Sequence, residues 1–290
     1  MRSGFVNIIG KPNAGKSTLL NAMVGEKLAI VSSKVQTTRH RIRAFLNGPD
    51  YQIVFSDTPG IIEPEYKLHE RMMQAVKASM EDSDVCLMIA DVRDDLEVLD
   101  KMFSGLKLHV PCIVVLNKSD LAKDKKAQEA LEFFSAKKYC KKAVLISAAK
   151  NQGVDELIKT IVENLPEGEA FFAEDDLTDM PTKFFAGELV REKIFELFDQ
   201  EIPYQATVLI SKFEEKTTLI KISADIIVHR ESQKAILLGQ GGSMIKKLGT
   251  LSRVQLEVFL GQKVFLELYV KVRNNWRNND LFLKEYGYNQ

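Results

Sequence analysis

Lys16 and Ser17 close a glycine loop, Asp57 ends an apolar run, and Asn117 stands three residues before Asp120. The stretch Gly10-Lys-Pro-Asn-Ala-Gly-Lys16-Ser17 lies between apolar Phe5–Ile9 and the helical pattern of Thr18–Val24, so it reads as strand, glycine loop, helix. Gly10 and Gly15 let successive amides turn inward toward phosphate oxygens, with Asn13, Ala14 and Thr18 in the same cradle. Lys16 can reach the β- and γ-phosphates, and the Ser17 hydroxyl is a Mg²⁺ ligand. A carboxylate at the end of a strand, as at Asp57, fits the acid that holds Mg²⁺ through its water shell. Three residues on, the Gly60 amide can meet the γ-phosphate. Between these parts lies the polar stretch Leu28–Arg41, read as a first switch in which Thr38, with Thr37 as the next candidate, offers a hydroxyl to Mg²⁺. A second switch would run from Gly60 through His69. Lys16, Thr38 and Gly60 are therefore the residues expected to act on the transferring phosphoryl group, and Ser17, Thr38 and Asp57 the metal set.

Asn117-Lys118-Ser-Asp120 bears on the base. Guanine presents two donors, N1–H and the N2 amino group, and a carboxylate at Asp120 can accept from both, whereas adenine would meet repulsion. Asn117 would tie this pocket to the phosphate loop, Lys118 would lay its stem along the base, and Ser147-Ala148 would offer an amide to O6. Each motif alone is a commonplace turn; in series they point to GTP and GDP with Mg²⁺. An ATP-using phosphate-loop enzyme is the alternative that competition binding would separate.

These residues need a frame that holds them at one edge. Apolar runs at Phe5–Ile9, Ile53–Phe55, Val85–Ala90, Cys112–Leu116 and Ala143–Ile146 alternate with helical stretches at Glu70–Met80, Leu96–Leu106, Lys126–Lys137 and Val154–Val162. The pattern predicts a doubly wound, mainly parallel α/β sheet with its ligand at the carboxyl ends of the strands, where every motif above falls. At 290 residues two domains are expected. We place the first at 1–168, an acidic, proline-bounded linker at 169–182 and the second at 183–290. Formal net charge is zero, so any nucleic-acid surface must arise from local arrangement. The composition is that of an ordinary soluble protein. No signal peptide is expected at Met1-Arg-Ser-Gly, and no apolar run approaches the ~20 residues of a membrane span. Cys86, Cys112 and Cys140 read as reduced thiols of a cytoplasmic protein.

Past residue 182 the order becomes helix, strand, strand, helix, helix, strand, an α+β pattern with a hairpin across Glu214-Glu-Lys216. Between the last two long helices stands Gly239-Gln240-Gly241-Gly242, which lets a phosphodiester backbone pass close over glycines and helix-end amides. Lys234, Lys246 and Lys247, with Arg230 and Arg253, put a positive rim there. This is the Gly-x-x-Gly loop of a KH domain, which clamps about four nucleotides of single-stranded RNA; the bland alternative is a helix C-cap followed by a turn. Ile236, Leu237, Leu238 and Ile245 divide between groove and core, and Trp276 suits either core packing or base stacking.

With these motifs in place the chain resembles the Era family of bacterial ribosome-assembly GTPases, through Gly-x-Pro-Asn-x-Gly-Lys-Ser, Gln36-Thr-Thr-Arg-His-Arg41, Asp-Thr-Pro-Gly and Asn-Lys-x-Asp. The likeness covers nearly the whole chain, including Glu201-Ile-Pro-Tyr204, Lys271–Trp276 and Tyr286-Gly-Tyr288. It implies a phosphate-loop GTPase domain followed by a type II KH domain. It also implies a switch acting on 16S ribosomal RNA near its 3′ end during 30S subunit assembly, in a cytoplasmic monomer. Peripheral membrane association has no support in the sequence. Ile61 stands where Ras-like enzymes keep a water-orienting glutamine, so slow turnover is implied. Families with this replacement often use K⁺ beside the phosphates, and Asn13 occupies the position of the asparagine that helps hold it; the alternative is that Asn13 merely shapes the loop. A second reading is an RNA placeholder in which nucleotide only gates docking and turnover is incidental.

Overall fold

The computed structural model describes residues 1–32, 34–106 and 108–288. Ser33 of the first switch stretch and residues 289–290 of the second domain lie outside the described residues. The chain forms two compact units, residues 1–63 with 72–179 and residues 64–71 with 180–290.

The first unit runs β1 (Arg2–Gly10), α1 (Lys16–Val24), β2 (Ile42–Gly48), β3 (Tyr51–Asp57), α2 (Lys67–Glu81, from residue 72 on), β4 (Val85–Asp91), α3 (Leu96–Ser104), β5 (Cys112–Asn117), α4 (Asp124–Ser135), β6 (Cys140–Leu145) and α5 (Val154–Asn164). Among the described residues its strands lie in the order β2-β3-β1-β4-β5-β6. Every neighbouring pair is parallel except β2–β3. Strands β4 and β5 are buried along their whole length, which explains their unbroken apolar character. Helices α3 and α4 cover one face through Leu99, Phe103, Ala130 and Phe134. Cys86 and Cys112 sit in that interior as free thiols, and Cys140 is half-buried.

Strand β2 has no counterpart in the sequence reading. It is the edge strand, it contains Arg43 and Asn47, and only part of it is buried, so its signal merges into the preceding loop. What covers that edge is the stretch read as a linker. Phe172 stacks on Phe45 with ring centroids 3.9 Å apart, and the Phe45 amide donates to Leu177 O at 2.9 Å. Thr178 Oγ1 donates to Arg43 O at 2.6 Å, and Gln52 Oε1 accepts from the Phe171 and Phe172 amides at 2.6 and 3.0 Å. Two adjacent aromatic residues inside an acidic run give this segment enough apolar surface to pack, and an occupied sheet edge does not recruit other strands.

The second unit contains α6 (Thr182–Leu197), α7 (Ile202–Gln205), β7 (Thr207–Glu215), β8 (Ile220–Val228), α8 (Glu231–Leu238), α9 (Ser243–Leu260), β9 (Val264–Val272) and α10 (Asp280–Glu285). Its sheet has the order β7-β8-β9, with an antiparallel hairpin β7–β8 and a parallel pair β8–β9. Alternate residues of β8, Ile222, Ala224, Ile226 and Val228, face the helices and are fully buried against residues such as Ile194, Leu237, Leu248 and Leu256. Trp276 belongs to the interior too, with no exposed surface, its Nε1–H donating to Gln205 O at 3.0 Å and its ring edge-on to Tyr286. Of its two sequence readings, packing is the one the structure favours.

Candidate functional site

The order of the sheet dictates where the site lies. Parallel strands β1, β3, β4 and β5 all end at one edge, so Gly10, Asp57, Asp91 and Asn117 emerge side by side. From Gly10 the chain turns through a loop into α1. Gly15 has φ 100°, and a Cβ on it would stand 2.2 Å from the Asn117 Nδ2, so only glycine passes this point. Among the described residues no side chain caps α1, which leaves its first amides open to an anionic ligand.

Lys16 is nearly buried, its ammonium donating to the Gly10 and Lys11 carbonyls at 3.2 and 3.0 Å. Burial lowers its pKa to about 8, against the pull of the Asp57 charge. Burial likewise pushes the Asp57 carboxyl up, opposed by Lys16 and by bonds from Ser17, Thr38 and Thr58. Ser17 Oγ donates to Asp57 Oδ2 at 2.8 Å, and Thr38 Oγ1 donates to the same oxygen at 3.1 Å while lying 2.9 Å from Ser17 Oγ. Asp57 Oδ1 is buried with no hydrogen-bond partner among the described residues. One carboxylate and two hydroxyls converging on a point, with an unpartnered carboxylate oxygen, form the hard-oxygen donor set that suits Mg²⁺ shared with a ligand's phosphates. Among the described residues no cluster of three His, Cys, Asp or Glu offers a rival metal site. A cleft of about 320 Å³ opens here, lined by Asn13, Lys16, Thr18, Thr37, Thr38 and Gly60 among others. Gly60 is packed against Pro12 of the loop, and the Ile61 amide donates to Gly10 O at 3.3 Å.

The base-reading stretches meet the phosphate loop through Asn117. Its Nδ2 donates to Ala14 O at 2.9 Å, and its Oδ1 accepts from the Ala148 amide at 3.0 Å. The Ala148 donor expected to face O6 is therefore shared with Asn117 in this structure. Asp120 is exposed, with Oδ1 accepting from the buried Ser147 hydroxyl at 2.6 Å. Lys118 takes a left-handed backbone with φ 62°, and its Nζ donates to Asn13 O at 2.7 Å. Asn13 itself has φ 62°. Asp91 and Arg93, outside every sequence motif, lie beside Lys118. Asp91 ends β4 as Asp57 ends β3, and that parallel was the available signal.

In the second unit the helix α8 stops at Gly239, whose φ of 70° and whose closeness to Met244 (2.7 Å from an added Cβ) require glycine. Gln240 and Gly241 are exposed, and Gly242 leads directly into α9. Lys246 and Lys247 are exposed and Lys234 half-buried, and none of the three is in an ion pair among the described residues. Leu237 is core, Leu238 and Ile245 are half-buried, and Ile236 is 53% exposed, so the groove face takes Ile236.

Comparison with known proteins matches these two sites to two families. Residues 5–118 match the 50S ribosome-binding GTPase family, and residues 201–277 match the KH domain family. GTPase Era of Geobacter sp. (strain M21) is 42% identical over 292 residues, spanning 99% of this chain and 98% of its own. The chloroplastic GTPase ERA1 of Zea mays is 43% identical, over 99% of this chain and 70% of its own. The chain belongs to the Era family of GTPases. A crystal structure of Era in complex with MgGDPNP and nucleotides 1506–1542 of 16S ribosomal RNA superposes with a TM-score of 0.95, at 39% identity and 99% coverage of both chains. A variant of Aquifex aeolicus Era bound to GDP·AlF4⁻ gives 0.92 at the same identity and coverage. This Era-family chain is a phosphate-loop GTPase followed by a KH domain. Its Ile61 packs against the core cluster beneath α2, so the position carries no group for orienting water.

Proposed function

We propose that this protein is a GTP-driven switch that binds small-subunit ribosomal RNA near its 3′ end and acts in 30S assembly. The GTP-binding domain is residues 1–168, the RNA-binding domain residues 183–290, and residues 169–182 connect them, their first part anchored on β2. Ser17, Thr38 and Asp57 would hold Mg²⁺, which when bound would neutralise part of the phosphate charge. The amides of Gly10 to Thr18 cradle the phosphates, Lys16 gives up its carbonyl contacts to meet them, and Gly60 presents its amide to the γ-phosphate. Asp120 pairs with the guanine donors, with Ser147 holding its other oxygen, while Asn117, Lys118 and Ala148 frame the base. Gly239–Gly242 with Lys234, Gln240, Lys246 and Lys247 grips RNA. Support for that ligand comes from the Era structure that contains nucleotides 1506–1542 of 16S ribosomal RNA. The protein works in the cytoplasm as a monomer; among the described residues no helix is long and apolar enough to cross a membrane.

The observation that carries the nucleotide half is the pair of Asn117 amide bonds, which makes phosphate loop and base pocket one site. Competition binding tests it. Asp120→Asn is expected to shift preference from GTP to XTP by at least about a hundredfold, because the carboxylate that accepts from N1 and N2 is replaced by an amide. An unchanged order GTP over XTP would remove the base assignment. We also propose that Asn13 helps hold K⁺ beside the phosphates, since Ile61 supplies no polar group. Hydrolysis is then faster in potassium than in sodium buffer, and equal rates would refute the ion's role.

A further inference from the structure

Asp91 belongs to none of the sequence motifs, yet it sits among the base-framing residues. It is the last residue of β4, in register with Asn117, and the Val92 amide following it donates to Asn117 O at 2.9 Å. Although only 7% exposed, its carboxylate is fully engaged. Oδ1 accepts from the Arg93 amide and Nε at 3.0 and 2.9 Å, and Oδ2 from Arg93 Nη2 at 2.7 Å. Oδ2 also lies 3.0 Å from Lys118 Nζ. Burial would raise its pKa, but the bonds from Arg93 and Lys118 outweigh this and hold the carboxyl far below the usual carboxylate range. It is therefore an anion throughout the working pH range.

Lys118 needs such an anchor. A lysine side chain has four rotatable bonds and on a surface samples many rotamers, so a flat wall for a purine requires its far end to be tied down. Two acceptors do this here: Asn13 O, which belongs to the phosphate loop, and Asp91 Oδ2. The carbonyl alone cannot neutralise an ammonium; the carboxylate does, and Arg93 fixes the carboxylate by a two-pronged grip.

We propose that Asp91 is a positioning residue for guanine-nucleotide affinity: it pins the Lys118 ammonium to the phosphate loop so that the stem forms one wall of the base slot, with Arg93 locking the carboxylate. The inference rests on the reading of Lys118 as a base-framing residue. Because the base is common to substrate and product, GTP and GDP are held to the same degree, and the chemical step is untouched.

The test is a double-mutant cycle on the full chain, reading the Kd for GDP and for GDPNP and kcat at saturating GTP. Lys118→Ala alone should weaken both nucleotides. Asp91→Asn should weaken both by about tenfold, as expected for contacting residues that couple, with kcat unchanged. On the Lys118→Ala background, Asp91→Asn should add less than about twofold, because its target is gone. Asp91→Glu, which keeps the charge, should recover part of the affinity, and a thermal scan of each variant accompanies the binding data. If the two losses multiply, or if kcat falls while Kd holds, the proposal is overturned and the base site stands. If Lys118→Ala binds normally, the reading of the base site fails and the proposal fails with it. Should Asp91→Asn not fold, Arg93→Met leaves the Lys118–Asp91 contact in place and carries the same cycle; the expected loss is then smaller but still absent on the Lys118→Ala background, and a loss that persists there counts against the role.

Discussion

Lys16 is the residue whose charge is most sensitive to its surroundings. Its ammonium is turned onto two loop carbonyls in a buried pocket, and burial brings its pKa to about 8. A bound polyphosphate stabilises the charged form and raises that value again. The sign follows: above pH 8 the free protein has lost part of this proton and must regain it on binding. Nucleotide affinity should then fall as pH rises from 8 toward 10, with proton uptake of a fraction of one per GDP bound. Titration calorimetry at pH 8.5 in two buffers of different ionisation heat would show it, and no uptake would argue that Lys16 does not meet the phosphates. The same shift acts on folding. Its folded value lies below the unfolded 10.5, so the cost of burying the charge is full below pH 8 and is relieved between the two values. At this scale the sequence was legible where a residue's place is set by its neighbours in the chain, as for Lys16 and Ser17 after the glycine loop. The place of Asp91 was not, because its contact is with Lys118, which only strand pairing brings alongside.

Elements were legible where they are buried on both faces or strongly periodic. Strands β4 and β5 and helices α2 to α5 all appear within a few residues of their sequence-derived spans. The edge strand β2 was hidden by its half-exposed, Arg-containing pattern, and the packing of Phe171 and Phe172 was hidden by the acidic residues around them. Hydrophobic period reports burial, and an edge is where burial is weakest. The α8–loop–α9 element gives a direct test of the RNA surface. Gly241 is exposed at φ 58°, a conformation aspartate tolerates, and an added Cβ there meets nothing within 4 Å. Gly241→Asp should therefore keep the melting temperature while placing a negative charge on the proposed path of the RNA phosphates. RNA affinity is expected to drop by more than about tenfold, a few phosphate-charge repulsions' worth at moderate salt, with GTP hydrolysis in the absence of RNA unchanged. Unaltered RNA binding would remove the loop from the interface.

For the whole molecule, two chemistries reside in one chain of zero net charge: an anion cradle at the strand ends of the first unit and a basic glycine loop in the second. Composition could not reveal either, since both depend on where a few charges are gathered; the motifs in series did. Their use as a switch requires that the γ-phosphate, through Thr38 and Gly60, alters the grip on RNA, and any such coupling must be reciprocal. The measurement that decides this is the affinity of the protein for an RNA copy of the 16S 3′ end, taken with Mg²⁺ and either GDPNP or GDP. Binding at least about fivefold tighter with GDPNP, matched by an equal gain in GDPNP affinity when RNA is present, is the result expected of a coupled switch. Equal RNA affinity in the two nucleotide states would contradict it.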